Sequence, residues 1–219
     1  MSKIKKIKYF IKTKGKNRFP SAKYWEYRYR EKGNSGSGSY GRLASFKAEI
    51  INDFIKKNKM QKCIELGCGD GNQLALLECP SFVGLDVSKT IIAENQLRFK
   101  EDASKNFYLY NKKNIKQLQK EPYSLSLSLD VIFHLVEDSI FESYIYNLFN
   151  FSDQYVIIYS SNINLRLSPY ERHRNFTAWI DQNIADWELI ERIPNPFPYD
   201  KENPNETSRS DFYFYRRKQ

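Results

Sequence analysis

The 219-residue chain has only three cysteines, Cys63, Cys68 and Cys79. An odd, small number in a chain of this length argues against a disulfide framework and for a reducing, cytoplasmic setting. Long apolar runs are also missing. Stretches such as Val131-Ile132-Phe133 fall far short of the ~20 residues that span a bilayer. The N-terminus is basic, but no apolar stretch follows it, so it does not read as a secretory signal. Glycine is scarce as well, and seven of the nine glycines fall in two clusters, Gly33–Gly41 and Gly67–Gly71. With 41% hydrophobic and 16% aromatic residues, the chain is nonetheless equipped to bury a core.

The formal net charge is +9, which by itself suggests nucleic acid or an anionic membrane. Its distribution changes that reading. Residues 1–32 carry twelve Lys/Arg against two Glu, a net of +10, and the remainder is near neutral at −1. The basicity belongs to an arm. Within it Ile4, Ile7 and Ile11 recur at helical spacing among lysines, as in a short amphipathic helix on an anionic surface or a tail packed on the body. We divide the chain into an arm with a Gly/Ser loop, residues 1–38, and a domain over 39–219.

Apolar periodicity predicts a helix over about 40–59. Strand-like runs follow at Lys62–Leu66, Phe82–Asp86, Phe107–Tyr110, Leu125–Phe133 and Tyr155–Tyr159. Helix-like stretches lie between them near 70–78, 88–104, 113–120 and 136–150. A helix at 170–184 and strands at 187–193 and 211–216 complete the pattern. Alternation of this kind predicts a mostly parallel sheet with helices on both faces, the last two strands forming an antiparallel pair.

The most informative stretch is Glu65-Leu66-Gly67-Cys68-Gly69-Asp70-Gly71-Asn72. A strand runs into three alternate glycines, which remove side chains where backbone must approach a ligand. The third glycine comes one residue too early for the dinucleotide fingerprint. Glu65, two residues before the first glycine, suits a cationic ligand better than a pyrophosphate. Asp86 ends the next strand, where a carboxylate can accept both hydroxyls of a ribose.

These residues, with Gly84-Leu85-Asp86-Val87-Ser88 and Leu127–Leu135, resemble the class I S-adenosylmethionine-dependent methyltransferases. The resemblance implies a Rossmann-like, seven-stranded sheet with an antiparallel last strand, and S-adenosylmethionine as donor with S-adenosylhomocysteine as product. It places Glu65, Gly67, Cys68, Gly69, Gly71, Asn72, Asp86, Val87, Asn111 and Asp130 around the donor. Asn111 stands where that family more often has an acidic residue. A narrower likeness runs through Tyr24–Arg30, Gly33–Leu43, Ser160–Asn162, Arg172–Thr177 and Asp211–Tyr213. It is to small bacterial methyltransferases found among genes for surface polysaccharides, including capsules carrying O-methyl phosphoramidate. It implies O-methylation of a phosphoramidate, a phosphate or a sugar hydroxyl on a small or nucleotide-linked glycan.

The chemistry needs aligned reactants and, for a neutral acceptor, a base. His134 and His173 are the candidate bases, with Asp130 beside the expected sulfonium. Arg166, Arg172 and Arg174 are candidate anion holders. The glycine-rich loop with Tyr24, Tyr29, Tyr40 and Arg42 is a candidate lid, with Arg42 able to hold the donor carboxylate. No metal-ligand cluster stands out. Nucleic-acid methylation is disfavoured: Asp130 is not followed by the Pro-Pro-aromatic of amino-methylating enzymes, and the body lacks surplus positive charge. A catalytically inactive, methyltransferase-like binding module is the third reading.

Overall fold

The computed structural model describes residues 20–219, so the predicted amphipathic segment at residues 4–11 lies outside the described residues. Six helices are described: α1 Ser21–Arg30, α2 Gly41–Lys57, α3 Lys89–Arg98, α4 Lys112–Leu118, α5 Asp138–Phe151 and α6 Phe176–Asn183. The strands are β1 Lys62–Leu66, β2 Ser81–Asp86, β3 Lys105–Leu109, β4 Tyr123–Leu129, β5 Ser152–Ser160, β6 Leu165–Ser168, β7 Glu171–His173, β8 Trp187–Ile193 and β9 Asp211–Arg217.

Seven strands form one sheet in the order β3-β2-β1-β4-β5-β9-β8, and β6 and β7 form a separate ribbon. β1 to β5 pair in parallel, while β9 runs antiparallel to both β5 and β8. The reversed strand is therefore inserted between its neighbours rather than left at the edge. This is the Rossmann-like methyltransferase topology.

One apolar cluster lies between the sheet and α2, and the other under α5 and α6. α2 turns Leu43, Ala44, Ala48, Ile51 and Ile55 inward at helical spacing. Lys47 occupies the same buried stripe. On the opposite face the serines of β4 meet α5: Ser126 Oγ donates to the Leu148 carbonyl at 2.7 Å, and Tyr144 Oη lies 2.7 Å from Ser128 Oγ as well as from the Leu66 carbonyl of β1.

Three expectations are corrected. The stretch 70–78 holds only a single 3-10 turn at Leu74–Leu76. Leu77 leaves that turn in extended backbone, at φ −92° and ψ 137°, and Pro80 disfavours a helix at the residue before it, so the chain runs on into β2 at Ser81. The stretch 170–184 splits: Glu171–His173 pair with β6, and α6 starts only at Phe176, capped by Asn175 Oδ1 accepting from the Ala178 amide at 3.2 Å. Finally, Cys63 and Cys79 are joined in a disulfide, with Cα atoms 6.5 Å apart. Parallel pairing sets Lys62 opposite Ser81 and so brings the start of β1 beside the residues that lead into β2. Cys68 is the remaining, buried thiol.

Candidate active site

The glycine turn leaves the carboxyl end of β1, between the ends of β2 and β4. Gly67, Gly69 and Gly71 have φ of +83°, +56° and +71°, in the left-handed region. A Cβ on Gly67 would lie 2.6 Å from Val131 Cγ2, and one on Gly69 would collide with Ser35 Oγ. The glycines are thus demanded both by backbone and by space.

Two buried carboxylates flank the turn. Asp86 accepts from the Gly69 amide at 3.1 Å and from the Ser88 amide at 2.9 Å. Burial pushes its pKa up to about 6 against the pull of these amides. Glu65 is 2% exposed, and its Oε2 has no hydrogen-bond partner among the described residues. Burial drives its pKa up to about 8, opposed by the charge of Lys47 and aided by Asp86 and Asp70. A bare buried carboxylate oxygen costs roughly 1–3 kcal/mol, so the site is built for a donor group that is not part of the fold.

Asp130 is held by its neighbours. Its φ is +59°, rare for a residue with a side chain. Lys47 Nζ, whose side chain is 1% exposed, lies 2.9 Å from Asp130 Oδ2, and Ser210 Oγ donates to Oδ1 at 2.8 Å. Its amide donates to the Tyr159 carbonyl. With both oxygens engaged, the carboxylate acts as an anchor for the turn after β4 rather than as a free base. Lys47 was not foreseen, because a lysine in an amphipathic helix reads as its solvent side.

The two glycine clusters interlock. The Ser35 amide donates to Asp70 Oδ2 at 2.8 Å, the Asp70 amide donates back to Ser35 Oγ at 2.9 Å, and Tyr40 Oη donates to Asp70 Oδ2 at 2.8 Å. Asn72 Nδ2 donates to the Ser39 carbonyl at 2.7 Å. Tyr29, 3% exposed, hydrogen-bonds Ser35 Oγ at 3.1 Å. Farther along the cleft Glu26 accepts from Ser88 Oγ and Thr90 Oγ1, seating α1 on the start of α3. The Gly33–Tyr40 strap and α1 therefore roof the turn.

The other sequence candidates divide. Cys68 packs its thiol into the core, where a Cβ on Gly84 would stand 2.9 Å from Sγ, and burial raises its pKa. Val87 is exposed beside Asp86, and Asn111 caps α4 by accepting from the Asn114 amide at 2.9 Å. Arg42 reaches the 195–210 loop instead of the glycine turn, donating to the Glu206 carbonyl at 2.6 Å and stacking on Phe197. Arg172 and Arg174 both pair with Asp138 and donate to carbonyls of the Leu135–Val136 turn. Arg166 is exposed on the ribbon, and Tyr24 stacks on Tyr170.

The histidines sit together around Phe133. His134 meets Trp25 edge to face, and burial lowers its pKa to about 4. His173 is 7% exposed; Ser161 Oγ hydrogen-bonds its Nδ1, while Nε2 is buried and unpartnered among the described residues. Its pKa is lowered by burial and by Arg209. Arg209 stacks 3.4 Å over Tyr199, and its Nε is likewise buried without a partner among the described residues. Ser161 lies in the Ser160–Asn162 stretch of the narrower likeness, but nothing local in the sequence ties it or Arg209 to His173.

No family model and no curated protein matches the chain. Solved structures do. Magnesium protoporphyrin IX methyltransferase (ChlM) from Synechocystis PCC 6803, with bound SAM, aligns with a TM-score of 0.63 at 13% identity, over 93% of this chain and 100% of that one. N-methyltransferase NodS from Bradyrhizobium japonicum WM9, in complex with S-adenosyl-L-homocysteine, aligns at 0.60 and 12% identity, over 80% and 85%. TehB from Haemophilus influenzae aligns at 0.55 and 22%, over 78% and 62%. The chain has the fold of the class I S-adenosylmethionine-dependent methyltransferases.

Proposed function

We propose that this protein is an S-adenosylmethionine-dependent methyltransferase. The observation that carries the reading is Glu65, a buried carboxylate with one bare oxygen beneath a turn of three left-handed glycines, with Asp86 on its other side. That set fits the donor: Asp86 for the ribose hydroxyls, the glycine backbone for the chain between, and Glu65 for the cationic amino-acid end. The donor supplies a methyl group already activated on a positive sulfur. The protein's tasks are to align the acceptor, exclude water and manage one proton.

For the acceptor we propose a small polar or anionic oxygen compound, of the phosphoramidate, phosphate or sugar-hydroxyl class used in bacterial surface glycans. His173 is the better base. Desolvation keeps it neutral at pH 7, Ser161 engages Nδ1, and the bare Nε2 can take the acceptor's proton as its oxygen bonds to the methyl. Arg209, rather than Arg172 or Arg174, is the cation beside His173 that orients a negative group, because those two are committed to Asp138. The test is methyl transfer from labelled donor to a panel of sugars, sugar phosphates and phosphoramidates. With a hydroxyl acceptor, His173→Asn loses kcat at unchanged donor affinity. With an anionic acceptor, Arg209→Met raises KM and His173→Asn keeps most of kcat. Full activity in both variants refutes both roles.

A further inference from the structure

Lys47 carries a buried charge that the fold only partly satisfies. Its side chain is 1% exposed, and its one hydrogen bond among the described residues goes to Asp130 Oδ2 at 2.9 Å. An ammonium has three N–H donors. One serves Asp130, and a second can face the Tyr159 ring, whose centroid lies 5.2 Å away. The third has no acceptor among the described residues.

Glu65 lies on the same side of the sheet. Side chains alternate along β1, so Glu65 points to the face that carries Cys63. Cys63 packs in the cluster that α2 covers with Ala48, Ile51 and Ile55, and Lys47 belongs to the same buried stripe of α2. Burial raises the Glu65 pKa, and the charge of Lys47 opposes that rise. Among the described residues the two nevertheless form no ion pair with each other, and Glu65 Oε2 stays bare. A carboxylate with a free oxygen and an ammonium with a free donor thus stand near one another, unjoined. The strap closes over the same place: a Cβ on Gly38 would lie 2.7 Å from Asp130 Oδ2.

A group bearing one charge of each sign fits such a pair. We propose that Lys47 holds the α-carboxylate of the donor's amino-acid end while Glu65 takes its ammonium. This role presupposes the S-adenosylmethionine site proposed above and adds the partner of the donor carboxylate to it. A purely cationic group would leave the spare N–H of Lys47 bare, and a purely anionic one would meet Glu65. Other cations around the turn are already used: Arg98 donates to the Asp70 carbonyl at 2.8 Å, Arg28 to Asn34 Oδ1 at 3.2 Å, and Arg42 to the Glu206 carbonyl. Asp130 fixes the lysine before any ligand arrives, so little ordering remains to be done on binding.

The test is calorimetry with three ligands that differ at the amino-acid end. S-adenosylhomocysteine has ammonium and carboxylate, its decarboxylated analogue has the ammonium alone, and methylthioadenosine has neither. Wild type should bind S-adenosylhomocysteine about tenfold or more tightly than the decarboxylated analogue, the loss expected for one charged hydrogen bond. Lys47→Met strands Asp130, so it is combined with Asp130→Asn, and a thermal melt confirms that the double variant is folded. In that variant the preference for the carboxylate should fall to about onefold, whatever the change in overall affinity. Glu65→Gln should keep the preference for the carboxylate and lose the preference of the decarboxylated analogue over methylthioadenosine. Wild type binding the first two ligands equally, or a double variant that keeps the tenfold preference, overturns the role of Lys47 and leaves the donor site standing. Wild type that binds none of the three overturns the donor site itself.

Discussion

Replacing Glu65 with glutamine should stabilise the protein without its donor and weaken the donor complex. A glutamate ordinarily titrates near 4.5, and Glu65 is pushed up to about 8 by burial. The folded state thus holds this proton longer than the unfolded chain does. Stability from this group is complete below about pH 4.5 and falls as pH rises toward 8. At ~1.4 kcal/mol per pH unit, the cost at pH 8 reaches roughly 4 kcal/mol as a ceiling, and it is under about 1 kcal/mol at pH 5. Asp86, raised from 3.8 to about 6, adds a cost of the same sign over its own range in both proteins. Glu65→Gln removes only the first part. In thermal melts followed by circular dichroism, the variant should melt at least about 5 °C above wild type at pH 8, and within about 2 °C of it at pH 5. By calorimetry it should bind S-adenosylmethionine about tenfold or more weakly, since a charged hydrogen bond is forfeited. A variant that melts at or below wild type at pH 8 would refute the buried, bare carboxylate.

Other perturbations test neighbouring parts of the site. Gly69→Ala places a methyl group at φ +56° against Ser35, and should abolish donor binding in the same calorimetric assay. Asp70→Ala removes the acceptor shared by Ser35 and Tyr40, and should speed S-adenosylhomocysteine release about tenfold in stopped flow. The Tyr40 phenol, held up at about 12 by burial first and by Asp70 second, should fall in an ultraviolet titration by the part that Asp70 supplies, while burial keeps it above its ordinary value of 10. Lys47→Met strands Asp130 and should cost about 3 kcal/mol in urea unfolding, with Lys47→Met/Asp130→Asn recovering most of it.

What was legible in the sequence is what depends on local chemistry. β1 and β8 coincide with their predicted runs because each is a short segment bounded by turn residues. The glycine turn is legible because three alternate glycines after a strand have few other uses. β4 ends four residues earlier than its apolar run. Asp130 turns the chain at φ +59°, and Ile132 is buried from a 3-10 turn rather than from a strand. The features that escaped are pairings across long separations. Asp130 draws on Lys47 and Ser210, 83 and 80 residues away in sequence, and Ser35 meets Asp70 across 35. Arg172 and Arg174 look like free anion holders until Asp138, on another element, occupies them. The Cys63–Cys79 bridge depends on strand register, which cysteine count alone does not carry.

We propose that the cradle formed by Glu65, the glycine turn and Asp86 holds S-adenosylmethionine. Isothermal titration of the full-length protein with S-adenosylhomocysteine tests it most directly. One site per chain is expected, with affinity in the micromolar range that is lost in Gly69→Ala. Absence of binding at about 1 mM ligand, a concentration that reveals interactions as weak as about 4 kcal/mol, would contradict it.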